Sequence, residues 1–268
     1  MSVLPSSSED TRTSSRRLYL LYHELRPQKS DYSYVVSCAQ FESHLDLIRD
    51  LQTSPGNRIT PEVTFDDGHI SNHEYALPLL HSRDIRAHFF ITVGWTGHKA
   101  GYMDWPHLRT LLKAGQTVGA HGWTHTLLTH CTGKELEHEL AGARLALEDK
   151  LGNSITSMSL PGGRFNARVL DACRSAGYTQ VFTSVPKAET LPIGPMIGRL
   201  NIRADITSAW ISDLLDPKSK VLGKLERQYR FKETAKALLG DKVYARLWAR
   251  LNREEPEAEP EDARVTVA

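Results

Sequence analysis

Apolar runs of four to six residues recur along this chain, with helix-like segments between them. The runs cover 18–22, 62–65, 87–92, 117–120, 157–160, 180–183 and 197–202. Most are rich in Val, Ile, Phe, Thr or Tyr and lack strict alternation with polar residues, which is how strands buried on both faces read. The helix-like segments cover 39–51, 71–83, 104–114, 132–151, 167–176 and 207–215. Asp104 with Pro106 marks a helix start, and Gly115, Gly152 and Gly177 mark helix ends. Strand alternating with helix implies parallel strands joined by crossover helices. Seven such units in roughly 200 residues suit a closed or nearly closed barrel, so a distorted (β/α)7 barrel is expected over 16–215. A doubly wound open sheet is the second choice. Neither G-x-G-x-x-G nor the P-loop pattern occurs, so nothing favours nucleotide binding. The serine-hydrolase elbow G-x-S-x-G is missing too.

Charge and cysteine content narrow the function classes. Lys+Arg 33 against Asp+Glu 32 gives no reason to expect bulk nucleic-acid binding. Three cysteines without C-x-x-C spacing argue against a disulfide scaffold and a cysteine zinc module. No apolar run is long enough for a membrane span. Arg16-Arg17 precedes an apolar run of only five residues, shorter than the roughly 7–15 of an export signal. Residues 1–15 therefore read as a disordered leader, and the expected compartment is the cytoplasm. From 216 to 253, basic and apolar residues interleave at helical spacing, which predicts a C-terminal extension of two basic helices broken near Gly240. Such helices suit either a cover on the barrel or, through 218–253, peripheral contact with anionic lipid head groups or an acidic partner. Residues 254–268 read as an acidic disordered tail.

The polar residues that carry chemistry fall at the ends of the apolar runs. His23 follows the first, Asp66-Asp67 the second, His121 the fourth, Pro161-Gly162-Gly163 the fifth and Thr183-Ser184 the sixth. In an α/β barrel these C-terminal strand ends converge on one active site. Adjacent carboxylates repel unless a cation or proton separates their roles, so one of the Asp pair is expected to bind metal and the other to act as base. His121 and His125, four residues apart, can grip the same ion. Gly122 stands where a zincin would carry its Glu, so the base must come from elsewhere, and Asp66 is available. Two nitrogens and one carboxylate leave an open position for water, which is a catalytic arrangement. His69 is close enough in sequence to line the pocket, His73 belongs on a helix face, and His130 belongs to a loop or helix entry. Trp123 is a candidate for stacking on a sugar, ahead of Trp95 and Trp105.

These residues resemble the polysaccharide deacetylases of carbohydrate esterase family 4, the NodB homology domain. Thr64-Phe65-Asp66-Asp67-Gly68 is similar to the first family motif and His121-Gly122-Trp123-Thr124-His125 to the second. Ser159-Leu160-Pro161-Gly162-Gly163 resembles the third, and the resemblance spans roughly 18–205. It implies a distorted (β/α)7 barrel, Asp66 as catalytic base, and Asp67, His121 and His125 as ligands of a divalent metal. Zn2+ is the first choice of ion, with Co2+, Ni2+, Fe2+ or Mn2+ as alternatives. Many members carry an arginine in the third motif that orients the base; here Ser159 stands in its place, and Arg164 is the candidate replacement. The backbone N–H of Gly162, next to Gly163, is the candidate oxyanion donor. The family's late histidine is missing. A subgroup with permuted motif order, active in exopolysaccharide biosynthesis, has an N-terminal Tyr-His strand end, and Leu21-Tyr22-His23-Glu24 is similar to it. His23 is therefore the expected general acid.

The expected activity is metal-dependent removal of N-acetyl groups from an amino-sugar polysaccharide, glycan precursor or lipid-linked glycan. The rival readings are a glycan-binding barrel that scaffolds polysaccharide biosynthesis, and a deacetylase or amidase of small non-sugar amides.

Overall fold

Strand runs without polar alternation need cover on both faces, and the chain supplies it with helices outside and a packed lumen inside. The structure, a computed structural model, describes residues 16–53, 58–216 and 218–239. Its strands in chain order are β1 (Arg16–Tyr22), β2 (Glu24–Arg26), β3 (Val35–Ser37), β4 (Ile59–Phe65), β5 (Ala87–Ile91), β6 (Thr117–Ala120), β7 (Ser157–Ser159), β8 (Gln180–Phe182), β9 (Glu189–Thr190), β10 (Met196–Ile197) and β11 (Arg199–Asn201). The main sheet runs β10-β8-β7-β6-β5-β4-β1-β11, all parallel, with β9 added antiparallel to β1. This is the nearly closed barrel expected from the strand count.

The seventh run differs from its expectation. Residues 197–202 are not one strand; β10 pairs with β8 while β11 pairs with β1. These are the two opposite edges of the sheet, so one short segment turning at Gly198 brings them together. A side chain at Gly198 would put its Cβ 2.4 Å from the Val185 carbonyl oxygen, and the Gly198 N–H donates to Glu189 Oε1 at 2.6 Å. The missing side chain lets the chain step from one sheet edge to the other. The small β2-β3 pair also escaped the pattern, because three-residue strands carry too little period to be seen.

The helices are α1 (Cys38–Thr53), α2 (Leu77–His81), α3 (Trp105–Lys113), α4 (Gly133–Glu137), α5 (Ala143–Leu151), α6 (Ala167–Ser175), α7 (Ser208–Leu215) and α8 (Val221–Leu239). Asp104 caps α3 as expected, accepting from the His107 N–H, and Gly152 ends α5 with a φ of 69°. Two π-helical turns were not expected. Asn72–Ala76 precedes α2, and His138–Gly142 joins α4 to α5. Such turns cluster at functional sites because the extra residue re-aims a side chain. Here they carry Asn72 and Glu139, both buried.

Alternation along β1 sorts the core into two layers. Tyr19 faces the lumen with Phe90, Phe182 and Ile197. Tyr22 faces outward, packing on Phe41 of α1 and on Phe65 at 5.0 and 5.6 Å between ring centroids. His23, one residue on, turns back toward the lumen.

The described residues divide into two units, one ending at Gly223 and the other beginning at Lys224. In the second, Lys224, Arg227, Gln228 and Lys232 surround Phe231, which is 76% exposed. The expected helix beyond Gly240, the leader 1–15 and the acidic tail lie outside the described residues. Among the described residues, no helix is long and apolar enough to cross a membrane.

Candidate metal centre and active site

The second strand run ends by delivering two carboxylates to the barrel mouth. The ladder continues one residue past β4, where Asp66 N donates to the Tyr22 carbonyl at 3.0 Å. Asp67 and Gly68 then take φ values of 72° and 81°, which turn the chain out of the barrel. Aspartate is among the few residues other than glycine that tolerate this region.

Asp66 is 3% exposed and almost fully engaged. Arg199 Nη1 donates to Oδ1 at 2.7 Å and Nη2 to Oδ2 at 2.8 Å, a bidentate pair. Ser159 Oγ donates to Oδ2 at 2.9 Å and accepts from Arg199 Nη2 at 2.7 Å. The guanidinium also lies 5.4 and 5.8 Å from the rings of Phe90 and Phe182, so the lumen aromatics form its floor. Burial pushes the Asp66 carboxyl up, but Arg199 and His121 outweigh it and hold the group below its ordinary range. The expected place for this arginine, Arg164, is corrected here. Arg164 is exposed on the loop after β7, and the guanidinium that grips Asp66 belongs to Arg199 on β11. Ser159, at the motif position the arginine vacates, has become the third member of the network.

Asp67, His121 and His125 come together as one cluster, with a ligand atom from each within 4.8 Å of the others. His121 Nε2 and His125 Nε2 each lie 3.3 Å from Asp67 Oδ1. Two atoms about 2.1 Å from one ion at the tetrahedral angle sit about 3.4 Å apart. The trio is therefore spaced for a divalent ion, and its N, N, O donor set suits one. His121 Nδ1 lies 2.9 Å from the Ser159 carbonyl, which can only accept, so Nδ1 carries the proton and Nε2 is left as a ligand. Burial raises the Asp67 carboxyl, yet the His121 and His125 rings against it, with His23 nearby, hold it well below the usual carboxylate range. Burial lowers His121, while Asp66 and Asp67 more than restore it, leaving it raised.

His23 turns into this cluster from β1. Asp67, Asp66, His121 and Arg199 all act on it electrostatically, against a larger effect of burial that leaves it lowered. Its Nδ1 is buried without a hydrogen-bond partner among the described residues. Asn72 Nδ2 donates to its carbonyl at 2.8 Å, and Tyr34 packs edge-on to the ring at 5.2 Å.

The other candidates divide. Gly162 is exposed with a φ of 61°, while the Gly163 N–H is engaged by the Leu160 carbonyl at 2.9 Å. Trp123 packs its ring on His138 at 4.5 Å, and Trp95 lies 5.2 Å from His125 with Lys99 on its face at 4.0 Å. His69 borders the site, 4.0 Å from Glu24, whereas His73 packs edge-on to His107 at 4.5 Å, and His130 is exposed.

Sequence reasoning missed two residues. Arg199 is a charge in the middle of an apolar run, and a buried arginine demands a carboxylate. Glu139 falls on the buried stripe Leu136, Leu140, Ala143 and Leu147, where a lone carboxylate needs donors.

Residues 54–181 match the family described as polysaccharide deacetylase. The Bacillus subtilis (strain 168) protein YxkH, named for the polysaccharide deacetylases, is 25% identical over 187 residues, 63% of this chain and 64% of its own length. A chitin deacetylase of Pestalotiopsis sp is 30% identical over 118 residues, covering 43% of this chain and 38% of its own. The chain thus spans less than two thirds of these curated relatives. The Streptococcus pyogenes deacetylase PplD, solved with acetate, superposes with a TM-score of 0.66 at 17% identity, covering 76% of this chain and all of that one. Motifs and family match agree: residues 54–181 of this chain are similar to the polysaccharide deacetylase family, and the barrel has the fold of the solved deacetylase.

Proposed function

We propose that this protein is a metal-dependent hydrolase that removes N-acetyl groups from an amino-sugar glycan. The observation that carries the reading is the pairing of two unlike carboxylates at one strand end. Asp66 is locked by Arg199 and Ser159, and Asp67 is left to the two histidines. A base and a ligand set side by side are what hydrolysis of an amide requires. The match of residues 54–181 to the polysaccharide deacetylase family and the chitin deacetylase relative support an acetylated sugar as substrate.

Asp67, His121 and His125 would hold the ion, with Zn2+ as first choice. A divalent ion in this place supplies Lewis acidity that brings a water pKa toward neutrality. Asp66, kept ionised and fixed in direction by Arg199, takes the proton of the attacking water. The exposed Gly162 N–H donates to the oxygen of the acetyl carbonyl as it becomes an oxyanion. His23 passes a proton to the departing amine, whose expulsion unprotonated is unfavourable.

The test combines ion content with acetate release from N-acetylated chitooligosaccharides. Asp66→Asn is expected to keep the ion and lose turnover by roughly 10²–10⁴. Asp67→Asn is expected to lose the ion first. Reversed behaviour of the two variants, or a wild type that binds no divalent ion, would overturn the reading.

A further inference from the structure

The loop from His121 to His125 carries both histidines of the trio, and its two edges are held by different means. Along one edge, backbone meets backbone: Val93 N donates to the Gly122 carbonyl at 3.1 Å and Gly94 N to the Trp123 carbonyl at 2.8 Å. Along the other edge the amides of Trp123 and Thr124 face no strand, because β7 ends at Ser159. A single carboxylate fills that place. Glu139 Oε2 accepts from Trp123 N at 2.7 Å and from Thr124 N at 3.0 Å, and Oε1 accepts from Thr124 Oγ1 at 2.6 Å.

Glu139 is 3% exposed, and among the described residues it has no cationic partner within ion-pair distance. A buried carboxylate is costly unless donors satisfy it, and here two of its three donors are loop amides and the third is the Thr124 hydroxyl. The loop is shaped around it in turn. Gly122 has a φ of 77°, and a Cβ there would lie 2.8 Å from Glu139 Oε2. His125 has a φ of 66°, an uncommon conformation for a residue other than glycine. The π-helical turn His138–Gly142 aims Glu139 at the loop, and the ring of its neighbour His138 packs at a tilt against Trp123.

We infer that Glu139 is the positioning residue of the metal centre: its carboxylate stands in for an absent strand and fixes the backbone from which His121 and His125 project. It touches neither ion nor substrate. Groups that orient ligands in this way typically contribute 10–100-fold to metal affinity. The inference rests on the reading of Asp67, His121 and His125 as ligands, and the experiment separates the two.

Zinc affinity is measured by chelator competition, and the visible absorption of the cobalt(II)-loaded protein reports ligand geometry. Far-UV circular dichroism of the metal-free protein reports folding. Glu139→Ala is expected to stay folded, bind zinc 10–100-fold more weakly and alter the cobalt spectrum. Glu139→Gln, which keeps an acceptor oxygen, is expected to recover part of the loss. Glu135→Ala, at an exposed cap of the same helix, is the control and is expected to leave both metal readouts unchanged. If Glu139→Ala fails to fold, Thr124→Val decides the matter, since it removes only the exposed hydroxyl contact and is expected to weaken zinc several-fold. A folded Glu139→Ala with wild-type zinc affinity and cobalt spectrum overturns the inference, as does an unaffected Thr124→Val where Glu139→Ala is unfolded. Failure of the wild type to bind either ion instead overturns the ligand reading.

Discussion

Replacing Arg199 by methionine isolates the interaction on which the carboxylate pair depends. Methionine approximates the length of the arginine stem, so packing over Phe90 and Phe182 is largely kept while the charge is removed. The variant loses the 2.7 and 2.8 Å bonds to Asp66 and leaves that carboxylate, 3% exposed, with the Ser159 hydroxyl as hydrogen-bond donor and the His121 ring 3.8 Å away. Breaking a buried pair by removing one partner costs about 3–5 kcal/mol, because the surviving charge is uncompensated. For a barrel of this size each kcal/mol moves the melting temperature by about 2–4 °C, so a fall of about 6–20 °C is expected. Calorimetry of the metal-free protein at neutral pH measures it. Adding Asp66→Asn to Arg199→Met removes the orphaned charge and should restore much of the loss, giving a strongly non-additive cycle. An Arg199→Met variant that melts with the wild type, or a double variant no more stable than the single, would refute the argument that this pair is the keystone of the lumen.

Gly122→Ala must fit a Cβ 2.8 Å from Glu139 Oε2 at a φ of 77°. It is expected to lower stability by about 1–3 kcal/mol and to weaken zinc retention, and an unchanged melt and affinity would contradict the close approach. Burial pushes His44 and His88 down to about 4, His44 being held between the Tyr22 hydroxyl and the Ile206 carbonyl. Unfolding frees both to take up protons near the ordinary histidine value, so the unfolded state binds more protons between about pH 6.5 and 4. Stability is therefore full above about 6.5, falls as pH drops to about 4 and levels below, by about 3 kcal/mol for each of the two. Denaturant titrations across that range check it; a His44→Phe variant should show a shallower fall, and an identical slope would remove His44 from the account.

Much of the site was legible because its parts are local. Thr64 to Gly68 is one strand end and its turn, and His121 to His125 is a single loop. Their residue types and spacing carry ligand chemistry whatever lies elsewhere in the chain. Strand positions were legible for a related reason, since burial on both faces leaves continuous apolar runs. Period-two alternation then decided that His23 faces the lumen while Tyr22 faces α1.

The identity of the residue that grips Asp66 depended on closure. Arg199 lies 133 positions from Asp66, and nothing between them in sequence links the two. Arg164 was the nearer candidate along the chain, but it sits on an exposed loop, whereas β11 is bonded to β1, one strand away from β4. Glu139 likewise meets its loop only because a π-helical turn rotates it there, 15 to 16 residues beyond the amides it accepts from. Residue types and short spacings set what each segment can do; which distant side chains meet is set by how the sheet closes, because a buried charge takes the partner the barrel places across the lumen.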